Sequence, residues 1–148
     1  MSVSEYKRAL LYRKAQANVC KSDYFNKIQA FTNGVVEDGK FLTLEETDGI
    51  INFLKEKEIS SKTKLKIDNC QQVVEFIKEK VAGLSSYLLI DEEWKFCEIY
   101  KISNEFFSDY NFYKLHSDEI RIIYCNLSFQ IQIDYDYNEI ECKYILYK

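Results

Sequence analysis

The stretch FQIQIDYDY, residues 129–137, alternates apolar and polar side chains along its whole length. Successive side chains of a β-strand point to opposite faces, so this alternation predicts a strand with one face in a core and one in solvent. The apolar set is Phe129, Ile131, Ile133, Tyr135 and Tyr137, and the polar set is Gln130, Gln132, Asp134 and Asp136. A core accounts for the first set, and the second set needs another explanation.

Four further segments around this stretch have the composition of strands. SYLLI, WKFCEIYKI, EIRIIYCNL and EIECKYILY all follow Gly83 and are rich in the β-branched and aromatic residues that suit a pleated surface. Trp94 would open the second of these strands, with Phe96 and Tyr100 on its face as core residues. Between the second and third segments, NEFFSDYNFYKL predicts a short helix or a packed loop.

The chain before Gly83 has the spacing of helices. One helix is predicted over about residues 4–19, and a second in DYFNKIQAF, capped by Ser22 or Asp23 and ended by Asn33-Gly34.

Two more helices carry capping signals at their starts. In TLEETDGIINFLKEKE, Thr43 and Glu46 have the spacing of a capping box, and Ile50, Phe53 and Leu54 share one stripe. In DNCQQVVEFIKEKVAG, Asp68 and Gln71 have the same spacing, and the stripe is Val73, Val74, Ile77 and Val81.

Helices followed by sequential strands predict an α+β fold, with N-terminal helices packed on a mostly antiparallel sheet of four to five strands. A chain of 148 residues is long enough for one core. We therefore predict a single domain over 1–148, in which 1–83 is mainly helical and 84–148 mainly strand.

Cysteine usage and hydropathy favour a cytoplasmic protein with free thiols. The five cysteines are scattered without a C-x-x-C pair, no signal peptide is apparent, and no apolar run reaches the length of a membrane span. The 17 Lys against 3 Arg, with 16 Ile and no Pro, suggest an AT-rich gene of the kind found in bacterial accessory islands.

The net charge of −4 is unevenly distributed along the chain. Residues 1–82 hold 14 bases and 12 acids, whereas residues 83–148 hold 6 bases and 12 acids. An acidic half repels phosphate and attracts cationic surfaces. The charge therefore argues against a nucleic-acid partner and for a basic protein.

Most enzyme classes lack the residues they need here. His116 is the only histidine, lies in a polar loop and is interpreted as a surface or capping residue. Four isolated glycines form no phosphate-binding loop, and the run Asp134, Asp136, Glu139 lacks the glycine and remaining ligands of a calcium loop. We predict no catalytic residue, no cofactor and no metal.

One enzyme alternative stays open. Asp134 ahead of Glu141-Cys142-Lys143 resembles the pattern of metal-dependent nucleases, in which carboxylates hold Mg²⁺ and a lysine orients water. The other interpretation is a charged strand face on which Lys143 pairs with a neighbouring acid.

The acidic and aromatic residues that remain are typical of a protein interface. Tyrosines often anchor interfaces, and acidic patches speed association with basic partners. The predicted partner-binding residues are Asp91, Glu92, Glu93, Gln132, Asp134, Asp136, Tyr137, Glu139 and Glu141.

Residues 85–145 resemble the immunity proteins of bacterial polymorphic toxin systems, particularly the contact-dependent growth-inhibition type. The resemblance lies in YLLIDEEWKFCEIYKISNEFF and IRIIYCNLSFQIQIDYDYNEI: a strand ending in acids, a Trp opening the next strand, a Phe-rich connection and an aromatic-acidic hairpin. It implies a small cytosolic protein that binds one toxin C-terminal domain, commonly a basic nuclease, and blocks its active site or substrate groove. A regulatory or scaffold subunit, whose N-terminal helices engage a partner helix, is the remaining alternative.

Overall fold

A computed structural model describes residues 2–32, 34–81, 83, 85–103 and 109–148. Its helices and strands are α1 (Val3–Thr32), α2 (Leu44–Glu56), β1 (Ile59–Ile67), α3 (Cys70–Val81), β2 (Ser86–Ile90), α4 (Trp94–Cys97), β3 (Tyr100–Ile102), β4 (Glu119–Tyr124), β5 (Phe129–Asp136) and β6 (Glu139–Tyr147). A 3₁₀ turn at Asp38–Lys40 precedes α2.

The described strands form one sheet in the order β1-β6-β5-β4-β2-β3, and every neighbouring pair is antiparallel. The predicted α+β class is confirmed. The described part of the sheet has six strands, whereas four to five were predicted. The additional strand is β1, which lies in the part predicted as mainly helical.

The segment WKFCEIYKI is not one strand, as predicted, but the short helix α4 followed by the three-residue strand β3. Glu98 joins them with a φ of 80°, which turns the chain between the two elements. Trp94 therefore begins a helix, although it is buried as expected. Residues 104–108 of the predicted connection NEFFSDYNFYKL lie outside the described residues.

The two predicted N-terminal helices form a single helix, α1. The segment around Ser22 and Asp23 contains neither Gly nor Pro, and both side chains lie exposed on the outer surface of the helix instead of capping its backbone. Tyr24, Ile28 and Phe31 continue the buried side of α1, which ends immediately before residue 33.

The helix starts of α2 and α3 follow their capping signals closely. The Thr43 Oγ1 accepts a hydrogen bond from the Glu46 N–H at 3.1 Å, and a Glu46 carboxylate oxygen accepts one from the Thr43 N–H at 3.0 Å, as predicted. At α3 the predicted pair was wrong by one residue, because the Gln72 N–H donates to the Asn69 Oδ1 at 3.0 Å. Phe53, predicted to face the core, is 52% exposed.

Helices cover both faces of the sheet, but they cover one face only in part. α3 packs over the apolar face, where Phe76 meets Tyr144 edge to ring at 5.6 Å between centroids. Its predicted stripe of Val73, Val74, Ile77 and Val81 is buried. On the opposite face, α4 places Trp94 over Arg121 of β4. Much of that face along β5, β6 and β1 carries polar and charged side chains with partial or full exposure.

Candidate functional site: the acidic end of the sheet

One end of the sheet collects most of the acids that the sequence singled out. The antiparallel register pairs Ile90 with Ile120, Glu119 with Asp134, and Asp136 with Glu139. The turn after β2 therefore lies beside the start of β4 and the β5–β6 hairpin. We call this region the acidic end: Asp91, Glu92, Glu93, Asp118, Glu119, Asp134, Asp136, Glu139 and Glu141.

Asp91 holds the acidic end together from within. One carboxylate oxygen accepts hydrogen bonds from the Asp118 N–H at 2.7 Å and the Glu119 N–H at 2.9 Å. The other oxygen lies 2.8 Å from the Lys27 Nζ. Asp91 thus fixes the turn after β2 against the start of β4, and its side chain is only 12% exposed.

Glu93 shares the same buried lysine. Its carboxylate oxygen lies 2.6 Å from the Lys27 Nζ, whose side chain is 6% exposed. Burial alone would lower the pKa of Lys27, but hydrogen bonds to Asp91 and Glu93 outweigh it and hold that pKa raised. Burial also raises the pKa of Glu93, against the opposing effect of Lys27. Lys27 therefore remains charged at neutral pH and serves as the counter-ion of both carboxylates.

Of the predicted cluster Asp91–Glu93, only Glu92 points freely toward solvent. Its side chain is 77% exposed and pairs with Lys95 one helical turn later. The carboxylates of Asp91 and Glu93 face Lys27. They therefore fix the conformation of this turn and are not available for contact with a partner. Sequence spacing could not reveal this, because Lys27 lies on α1, far away along the chain.

The polar face of β5 and β6 carries less net negative charge than its acidic residues alone would give it, because lysines lie among them. The Lys143 Nζ lies 3.5 Å from an Asp134 oxygen and 3.8 Å from a Glu141 oxygen, and the Lys64 Nζ lies 3.3 Å from Glu141. The register of β1 with β6 places Lys62 and Lys66 on the same face as Lys64. The missed strand β1 therefore adds a row of lysines beside the predicted acids, so the face carries both signs of charge.

The tip of the β5–β6 hairpin projects an aromatic ring between acids. Tyr137 and Asn138 have φ values of 49° and 66°, as a two-residue hairpin turn of the primed type requires. The Tyr135 hydroxyl donates to the Asn138 Oδ1 at 2.7 Å and braces the turn. Tyr137 is 91% exposed and stands between Asp136 and Glu139. The turn frees this ring from the apolar face on which alternation alone would place it.

A second exposed tyrosine, Tyr113, was not predicted. It is 75% exposed and follows Phe112, whose ring stacks on Tyr135 at 5.2 Å between centroids. This stack ties the loop that carries Tyr113 to the hairpin that carries Tyr137. The signal for it lies in YNFY, residues 110–113, where burial alternates along the chain. The rings of Tyr110 and Phe112 are buried, and that of Tyr113 is exposed.

Burial affects the titration of a second carboxylate in this region, Glu119. Burial raises the pKa of Glu119, and Arg121, whose Nε lies 3.1 Å from a Glu119 oxygen, opposes that effect. Asp134, Glu92 and Asp91 raise the same pKa further through their negative charges. Both predicted acidic clusters are therefore close enough to interact electrostatically.

We expect the protein to become more stable as the pH falls from 7 toward the ordinary glutamate pKa of 4.5. Glu93, Glu98 and Glu119 have carboxyl pKa values that are raised above 4.5 in the folded chain, mainly by burial. The folded state therefore holds protons in this range that the unfolded state has released. Urea unfolding across pH 3–7, followed by tryptophan fluorescence, measures the trend.

Asp48 has the opposite effect, because it makes the protein less stable as the pH falls further. Burial would raise the pKa of Asp48, but hydrogen bonds from Arg13 and Tyr6 lower it below 3.8. Its contribution is present above the unfolded pKa and is lost as the pH falls through the folded pKa. The result is a maximum of stability on the acid side of neutral pH, which Glu119→Gln should flatten. A stability that only declines below pH 7 would contradict the assignment.

Asp134, Glu141 and Lys143 come together as the nuclease alternative requires, with the lysine between the two acids. This is also the pairing expected of a charged strand face. Within the described parts of the chain, no group of three or more His, Cys, Asp or Glu side chains is arranged to hold a metal ion.

The helices of the described chain include none with both the length and the apolar character needed to cross a membrane. Comparisons of this chain with protein-family models, with curated proteins and with solved structures found no match.

Proposed function

We propose that this protein is an immunity protein that binds a cognate toxin domain through the acidic end and neutralises it. The observation that supports this most directly is Tyr137, which projects from a braced hairpin turn with acids on both sides. Large exposed aromatic rings on a rigid support resemble the anchors of protein interfaces. The function requires binding alone, so no catalytic residue, cofactor or metal is assigned.

The chemistry of the acidic end favours a basic partner. Glu92, Asp136 and Glu139 are exposed there, and Tyr137 supplies apolar area between the last two. Tyr113 is exposed on the loop that Phe112 ties to the hairpin. Opposite charge accelerates the encounter of the two proteins, and tyrosine rings that become buried in the complex then slow its dissociation. A nuclease domain has such a basic surface in its substrate groove, because it must hold a polyanion. Carboxylates laid along that groove would exclude the nucleic acid.

The predicted residues take two different roles in this proposal. Gln132, Asp134 and Glu141 lie behind the hairpin tip, where Lys143 partly neutralises the two acids. Asp91 and Glu93 act indirectly by fixing the turn that carries Glu92. All five cysteines are free thiols in the structure, which suits the reducing cytoplasm that we propose as the location.

The proposal predicts that a neighbouring gene encodes a toxin domain, and the test is a rescue experiment with that domain. We expect co-expression of this protein to restore growth to bacteria that produce the toxin domain. The purified pair should form a complex whose association rate falls steeply between 50 and about 300 mM salt. Continued growth arrest despite stable production of both proteins would contradict the proposal.

The clustering of Asp134, Glu141 and Lys143 keeps a metal-dependent nuclease as the second candidate. In that case purified protein should degrade nucleic acid with Mg²⁺, and Glu141→Ala should abolish the activity. Equal digestion by both proteins would indicate a contaminating nuclease.

An exposed stripe on α1 favours the scaffold alternative to a lesser degree. Leu11, Ala15 and Val19 lie one helical turn apart on its outer side, with Tyr12 beside them. A complex that fails with Leu11→Ser and Val19→Ser, yet survives charge reversal at Asp136 and Glu139, would identify α1 as the docking surface.

A further inference from the structure

One side of α1 is anchored along its length to the segment that contains α4. The contacts recur every three or four residues, so they follow one helix face. They join Arg13 Nε to Lys95 O at 2.8 Å, Ala17 O to Cys97 Sγ at 3.7 Å, Cys20 Sγ to Cys97 Sγ at 3.3 Å, Tyr24 Oη to Glu98 O at 2.6 Å, and Lys27 Nζ to Glu93 at 2.6 Å.

Two thiols meet in the middle of this row. The hydrogen bonds on either side of the Cys20 and Cys97 sulfurs hold these two atoms in contact. The nearest of these bonds joins Tyr24, one helical turn after Cys20, to Glu98, the residue after Cys97. A disulfide has a sulfur–sulfur bond of about 2.05 Å, so the sulfurs must approach by only about 1.3 Å. We propose that Cys20 and Cys97 form a reversible disulfide when the protein meets hydrogen peroxide.

The reaction proceeds in two balanced steps. The Cys20 thiolate attacks one peroxide oxygen, the O–O bond breaks, and Cys20 sulfenic acid forms with release of hydroxide, which takes up a proton to become water. The Cys97 sulfur then attacks the Cys20 sulfur, the S–O bond breaks, and a second water leaves. Two thiols lose two electrons to one peroxide, and thiol reductants reverse the change through exchange at either sulfur.

Peroxide can reach this pair from the surface. Cys20 is half-buried, whereas Cys97 is 8% exposed. A cavity of about 260 Å³ also opens onto Cys97, which lines it together with Lys14, Lys21 and Phe25. Because Cys20 is the more exposed of the two residues, we assign it as the sulfur that peroxide oxidises first, and Cys97 as the one that resolves the sulfenic acid.

The environment of Cys97 fits the resolving role. Burial raises the pKa of the Cys97 thiol, and its hydrogen-bonded contact with Cys20 raises it further. Such a thiol is a poor target for peroxide in bulk solution. Contact with Cys20 nevertheless makes the second step intramolecular, and a high effective concentration compensates for low thiolate content.

Peroxide treatment of the purified full chain tests the proposal. Intact mass under non-reducing conditions should fall by the mass of two hydrogen atoms, and peptide mapping should find the Cys20–Cys97 link. The bond closes a long loop, from residue 20 to residue 97, so the oxidised protein should melt roughly 5–10 °C above the reduced protein. Dithiothreitol should restore the original mass and melting temperature.

Single substitutions distinguish this pair from general oxidation. Cys20→Ser changes a half-buried position and should fold, yet it should lose both the link and the thermal shift. Cys125→Ser removes another half-buried thiol and should keep both. A wild-type protein that gains only oxygen atoms, links other cysteines, or shows the same shift as Cys20→Ser would overturn the proposal. None of these outcomes depends on toxin binding.

Discussion

Replacing Lys27 with methionine is expected to lower the free energy of unfolding by about 3–5 kcal/mol. Methionine keeps most of the length of the side chain but removes the charge that Asp91 and Glu93 share. Two largely buried carboxylates would then face each other without a counter-ion. Because Asp91 also fixes the start of β4, the loss should extend to the acidic end as a whole.

Urea unfolding at pH 7 measures this loss, with Lys14→Met as the matched control, since Lys14 is exposed on the same helix. The control should change stability by less than about 0.5 kcal/mol. Adding Glu93→Gln to Lys27→Met should recover part of the loss by removing one unpaired charge. The deficit should also shrink as the pH falls, because burial raises the pKa of Glu93 and the substitution removes Lys27, which opposes that rise. A loss below about 1 kcal/mol would mean that water or backbone movement replaces Lys27.

Reversing the charges of Asp136 and Glu139 to lysine is expected to slow association with the toxin domain at least tenfold, or about 1.4 kcal/mol in activation free energy, at low salt. Both side chains are exposed beside the hairpin tip, so the folded state should lose little stability. The difference from wild type should narrow as salt rises, because screening removes long-range attraction. Stopped-flow association kinetics give the rates directly.

The control for this experiment is the pair Glu75→Lys and Glu79→Lys. Both acids are exposed on α3, over the opposite face of the sheet, and the net charge changes equally. If the control slows association as much as the hairpin variant does, net charge rather than the acidic end governs binding. Tyr137→Ala should instead leave the association rate nearly unchanged and speed dissociation.

Local signals in the sequence were sufficient to predict an element where contacts within that same segment stabilise it. The capping box of Thr43 and Glu46 fixed the start of α2, and the valine stripe identified α3 because both devices act within one helix. The strand character of β5 followed for the same reason, since its alternation of apolar and polar residues lies within one segment.

The errors arose where distant segments decide the outcome. β1 is polar and rich in lysine, so its strand character depends on β6, with which it pairs. α1 continues through Ser22 and Asp23 because the α4 segment packs along it beyond that point. Asp91 and Glu93 turn inward toward Lys27, whereas sequence proximity grouped them with Glu92 as one exposed cluster.

The position of β1 also affects how the protein folds while it is being synthesised. β1 pairs only with β6 in the described sheet, and the register joins Ile67 to Ile140. A nascent chain that has completed β1 must therefore wait for the β6 segment before that strand gains its neighbour. Lysines at alternate positions discourage an unpaired strand from joining another chain. We therefore expect Lys62, Lys64 and Lys66 to limit aggregation of the unfinished protein during this delay, and the same charges later border the acidic hairpin.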